Sequence, residues 1–173
     1  MNSNIAERIK LFRLVRDIPY RIGLSLDDAD YCCATKAPLF QKLLSTIGVK
    51  SRRVYCRFLW KDMPFPRAVI AKSPQPDCLH EYLEVFVPEK KKWVVADPTW
   101  DNGMKAAGLT IVNWNGLSAT PLAVRSVKLF SPVASAAMSR KIENLSPKEW
   151  KDFYKQNRAF FGAINDWMEK NRA

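Results

Sequence analysis

A chain of 173 residues with 47% hydrophobic content suits one globular domain with helical extensions. No apolar run is long enough to cross a membrane, and residues 1–12 mix charge with apolar side chains and contain no signal-peptide core, so a cytoplasmic protein without membrane contact is expected. The net charge of +11 asks for an acidic partner or a solvated basic surface. The basic residues are spread along the chain and no nucleic-acid motif accompanies them, so the solvated surface is the expectation and nucleic-acid contact the alternative, with Arg52, Arg53, Arg57, Lys61 and Arg67 as the candidate contacts.

Ile5, Ile9, Phe12 and Val15 recur at helical spacing and predict a helix over residues 5–15, capped by Ser3 or Asn4. The polar run 25–30 is a loop that leads into a pair of cysteines. Ala37, Phe40, Leu44 and Ile47 form one stripe, widened by Leu39 and Leu43, and predict a buried helix over residues 33–47 that Gly48 stops. Pro38 lies past its first turn and removes an intrahelical hydrogen bond, so a bend or a later start is expected.

Alternation around Val54, Cys56 and Phe58 predicts a strand, and Pro64 and Pro66 make residues 61–67 a loop. Residues 80–87 and 93–97 read as two strands joined by a turn at 88–92. A turn centred between Pro88 and Glu89 sets His80 nearly opposite Asp97, where cross-strand Cβ atoms are ~5 Å apart. Residues 109–112 and 122–130 predict further strands, and 131–141 a short helix. Ser146-Pro147-Lys148-Glu149 is a capping-box start for a last helix, whose face of Trp150, Phe153, Tyr154, Phe160, Phe161, Ile164, Trp167 and Met168 is expected to pack on the domain rather than on a partner.

Cys33, His80 and Asp97 carry the chemistry. Cys33 stands at a predicted helix start, where unpaired N–H groups and the positive dipole end favour a thiolate. His80 is the only histidine in the chain, so an imidazole that takes the thiol proton has one source. Asp97 suits the carboxylate that orients the imidazole and stabilises its charged form. The four cysteines, 32, 33, 56 and 78, read as free thiols rather than a disulfide framework. Together with His80 they also have zinc-ligand chemistry, but no C-x-x-C pair is present, and neither a metal nor another cofactor is expected.

Three blocks resemble the transglutaminase-like superfamily of papain-type thiol enzymes: Cys33-Ala34-Thr35-Lys36-Ala37 continuing to Ile47-Gly48-Val49-Lys50-Ser51-Arg52, His80 in a strand before a hairpin, and Trp93-Val94-Val95-Ala96-Asp97-Pro98-Thr99-Trp100. The resemblance covers residues 17–101. Lys36, Ala37 and Gly48 fit Cys33, not Cys32, as the family's nucleophile, which leaves Cys32 a small buried thiol. The resemblance implies an α+β papain-like core with the cysteine helix packed on an antiparallel sheet. It places a catalytic core over about 17–130 and a helical extension over about 131–173. It implies a Cys33-His80-Asp97 triad acting on a peptide or protein amide, as a cysteine peptidase, an amidase or a transglutaminase-type acyltransferase, with hydrolysis slightly favoured. The Cys33 N–H supplies one oxyanion donor, and Tyr20 or a backbone group is the candidate second. The alternative is a catalytically silent module of the same fold that binds acidic partners or nucleic acid.

Overall fold

A computed structural model describes residues 5–173, so the cap expected at Ser3 or Asn4 lies outside the described residues. The architecture is α+β: α1 (Ile5–Arg16), α2 (Cys33–Thr46), β1 (Ser51–Leu59), α3 (Arg67–Ile70), β2 (Asp77–Val87), β3 (Lys92–Ala96), β4 (Ser126–Leu129), α4 (Pro132–Glu143) and α5 (Pro147–Asn171). The strands form one antiparallel sheet in the order β3-β2-β1-β4. Among the described residues no helix is long and apolar enough to cross a membrane.

Period-two alternation divides the core between the two sheet faces. On one face Leu83 and Val85 of β2 and Ala96 of β3 pack with Ala37, Phe40 and Leu44 of α2 and with Phe12 and Val15 of α1. On the other, Val54, Cys56 and Phe58 of β1 and Tyr82 of β2 pack with Trp100, Met104 and the α5 side chains Phe160, Phe161, Ile164 and Met168. The last helix therefore docks on its own chain. Its start is the expected capping box, with Ser146 Oγ accepting from the Glu149 N–H and the Glu149 carboxylate accepting from the Ser146 N–H.

Pro38 does not delay α2: the helix begins at Cys33 and runs through the proline. The missing N–H would have bonded to the Ala34 carbonyl, and Ala34 is exposed, where water can satisfy that oxygen.

The segment 109–112 is not a strand. It runs without ladder pairing, with Leu109 buried in one core and Val112 in the other. Buried arginines of α1 bond this stretch and the turn after it: Arg16 donates to the Val112 carbonyl at 3.1 Å and Arg8 to the Gly116 carbonyl at 3.1 Å. Of residues 122–130, only Ser126–Leu129 joins the sheet. Residues 61–67 are not wholly loop, since a 3-10 turn at Trp60–Asp62 and the single-turn α3 bracket the prolines.

Phe40, fully buried between α1, α2 and Trp114, is a direct test of this packing. Phe40→Ala is expected to cost about 3–5 kcal/mol, read as a lower urea midpoint with an unchanged slope.

Candidate active site

The site forms where β3 leaves the sheet. The β2–β3 ladder ends at the pair Leu83–Ala96, so the β2 edge from His80 to Tyr82 has no strand on that side. The start of α2 fills the gap. The His80 ring and the Glu81 backbone N–H lie beside Cys33 and favour its thiolate. Val87 pairs with Lys92, so the turn is centred one residue later than the sequence suggests, with Lys91 at φ 51°. Asp97 thus lies diagonal to His80 rather than opposite it. The pairing partner changes by two residues, and a shift of two keeps the same side of the sheet.

Asp97 and His80 are each only 1% exposed. His80 Nε2 donates to Asp97 Oδ2 at 2.7 Å, which leaves Nδ1 as the ring nitrogen for Cys33. Asp97 Oδ2 also accepts from the Ala123 N–H at 2.8 Å, and Oδ1 accepts from Thr99 Oγ1 at 2.6 Å and the Thr99 N–H at 3.3 Å. The Asp97 N–H donates to Thr120 Oγ1 at 3.1 Å. Residues 122–125 are therefore withheld from the sheet because the chain there serves the carboxylate.

The electrostatics follow from this packing. Burial alone would raise the Asp97 carboxyl, but the charge and hydrogen bond of His80, with Thr99 and the Ala123 N–H, hold it below the usual range. Burial opposes the imidazolium, yet Asp97 outweighs it and Cys33 adds to it, so His80 titrates well above its ordinary value. For Cys33 the largest influence is a hydrogen bond from the Cys32 thiol. Burial works against the thiolate, but His80 and the Glu81 N–H reinforce it, and the pKa falls well below that of an ordinary thiol.

The other thiols move the opposite way. Cys32 is raised because its hydrogen is committed to Cys33, burial pushes Cys78 up to about 12, and burial raises Cys56. Cys33 is the single cysteine of the chain whose thiolate is favoured.

Further residues line or brace this site, among them Lys36 and Tyr20, to which the sequence already pointed, and Glu81, to which it did not. Cys32, next to Cys33, influences its ionisation rather than standing as an inert thiol. Lys36, one turn along α2 and buried, donates to the Thr99 carbonyl at 2.9 Å and the Arg16 carbonyl at 3.0 Å, tying the Cys33 helix to the Asp97 loop. Glu81 is buried beside Arg53 at 2.9 Å without a directed hydrogen bond, and burial lifts its pKa to about 7. Tyr20 lines the same cavity as Cys32 and Cys33, and burial keeps its phenol protonated far above the usual range. Thr99 also left a mark in the sequence, as the third residue of Asp97-Pro98-Thr99, whereas Glu81 left none.

Among the described residues no group of three or more His, Cys, Asp and Glu side chains is placed to hold a metal ion. Three of the candidate basic contacts are matched internally: Arg52 pairs with Glu84, Arg53 with Glu81 and Glu143, and Arg57 with Asp77. The chain matches no protein-family model, no curated protein and no solved structure.

Limiting iodoacetamide near neutral pH is expected to label Cys33 first in a peptide map, and His80→Ala and Cys32→Ala should each raise its apparent pKa. Labelling of Cys56 or Cys78 with Cys33 spared would refute the electrostatic account.

Glu81 gives a second test. Its folded value of about 7 exceeds the ordinary 4.5, so its contribution to stability is complete below 4.5 and is lost as pH rises through about 7. Glu81→Gln should flatten the fall of Tm over that window; an unaltered fall would assign it to another group.

Proposed function

We propose that this chain is a transglutaminase-like thiol enzyme that transfers or hydrolyses an acyl group through a Cys33 acyl-enzyme, with a papain-like core. The observation that carries the reading is the convergence of Cys33, His80 and Asp97 at one open sheet edge, with Cys33 the one thiol electrostatically poised as thiolate. A buried thiol, a core histidine and a capping aspartate have no reason to meet in this order.

The reading implies the following steps. The Cys33 thiolate attacks the carbonyl carbon of an amide or related acyl donor, and the carbonyl π pair moves to oxygen. That oxyanion is stabilised by the Cys33 N–H, which has no intrahelical acceptor at the first position of α2, and by the Tyr20 hydroxyl. The intermediate collapses, the C–N bond breaks, and the His80 imidazolium gives its Nδ1 proton to the departing nitrogen. Neutral His80 then accepts a proton from water, which attacks the thioester and releases a carboxylic acid and the Cys33 thiolate. An amine in place of water gives transamidation. Asp97 stays ionised throughout and holds the Nε2–H tautomer.

The test is acyl-enzyme mass spectrometry with peptide amides, glutamine amides and activated esters. One acyl adduct on Cys33, absent from Cys33→Ala, is expected. Asp97→Asn should remain folded and turn over about 10²–10⁴-fold more slowly. Tyr20→Phe should slow acylation by about 10²-fold while leaving iodoacetamide alkylation, which forms no oxyanion, unchanged. A folded protein with a reactive Cys33 that accepts no acyl group from any donor would favour the silent module.

A further inference from the structure

Cys33 lines a cavity of about 580 Å³, within the range of sites that enclose small organic ligands. Phe58, Trp60, Met63, Phe65, Phe161 and Ile164 line its depth. These side chains are fixed by the core: Phe58 meets Trp60 edge-on at 4.8 Å between ring centroids, and Trp60 meets Phe160 the same way at 4.9 Å. The hollow is therefore preformed and does not depend on a ligand to shape it. At its mouth the first turns of α5 add Trp150, Phe153 and Tyr154, and Phe153 is 38% exposed, which carries the apolar wall out to solvent.

Charged groups also line the cavity, but they sit apart from the aromatic wall and are matched to one another. Phe58 pairs with Cys78 and Cys56 with His80 across β1 and β2, so the aromatic wall and His80 share one sheet face. Arg53, Tyr55 and Glu81 alternate onto the other face, where Arg53 is matched by Glu81 and Glu143. Asp30, also on the lining, accepts the Cys32 N–H at 2.8 Å. A charged acyl side chain entering the deep part would lose its hydration and meet no unmatched counter-charge there.

Resting on the thiol acyl-transfer reading, we infer that the acyl group passed to Cys33 is bulky and apolar, aromatic or medium-chain aliphatic, and seats in the Phe58–Trp60–Ile164 hollow. The assignment to the acyl side follows from the order of events. The leaving group must depart and the acceptor must enter, so the enclosed apolar space suits the part that stays bonded to sulfur between the two half-reactions.

The experiment measures acylation of Cys33 from 4-nitrophenyl esters of acetyl, butyryl, hexanoyl, octanoyl, phenylacetyl and succinyl groups. In parallel it measures protection of Cys33 from iodoacetamide by acetamide, octanamide and phenylacetamide, which needs no turnover. The acylation rate constant is expected to rise about three- to fourfold per added methylene until the hollow is filled. The phenylacetyl ester should exceed the acetyl ester by at least about tenfold, since an aryl ring removes several methylenes' worth of surface from water. Octanamide and phenylacetamide should protect where acetamide does not. Equal rates along the series, or a preference for succinyl, with no protection by the apolar amides would overturn the inference while leaving the Cys33 acyl-enzyme standing. Protection by the apolar amides without any acyl-enzyme would keep the hollow's specificity and refute the catalytic reading instead.

Discussion

The hydrogen bond between His80 and Asp97 is made where neither partner can be hydrated, and much of the surrounding chain exists to sustain it. An ionised carboxylate out of water is costly unless its lone pairs are taken. Here they are taken by His80, by Thr99 through both backbone and side chain, and by the Ala123 N–H. Those donors come from β2, from the turn after β3 and from the connection to β4, so three segments are pinned to one another through a single side chain. Lys36 extends the arrangement to α2 by donating to the Thr99 carbonyl. The position of Cys33 against His80 is thus set by the same contacts that hold Asp97, and the thiol cannot move far without disturbing the acid.

The last helix serves two ends with one apolar face. Its later turns, from Phe160 to Met168, complete the core beneath β1 and β2. Its first turns stand over the cavity and contribute Trp150, Phe153 and Tyr154 to its mouth. Substitutions in the first turns are therefore matters of access, while those at Phe161 and Ile164, which face both the core and the cavity, touch stability and specificity together. Arg52, Arg53 and Arg57 are paired with Glu84, Glu81, Glu143 and Asp77.

Much of this was legible in the chain because local patterns and tertiary demands agree. The stripe of α2, the alternation of β1 and β2, and the Ser146 capping box each encode an element whose environment merely confirms it. The three candidate residues were also legible, since a sole histidine and a carboxylate lie on either side of one turn. What escaped was set by long-range partners. The segment after Gly108 has strand composition, yet arginines of α1 take the backbone carbonyls of Val112 and Gly116. Residues 122–125 look like the start of a strand, yet Ala123 gives its N–H to Asp97 and its carbonyl to Trp100. Cys32 looks like a small apolar residue until its thiol is placed beside Cys33. Glu81 becomes a site residue only when β3 ends early enough to open the β2 edge.

The central claim is that Cys33 and His80 rest as thiolate and imidazolium, held so by Asp97. Because His80 is the only histidine, nitrogen NMR of histidine-labelled protein reads that one ring without ambiguity. The account predicts an imidazolium that persists through neutral pH and loses its proton only well above the usual histidine range, with a lower titration in Asp97→Asn and in Cys33→Ala. A ring that titrates near ~6.5 as a free histidine does, indifferent to both substitutions, would contradict it.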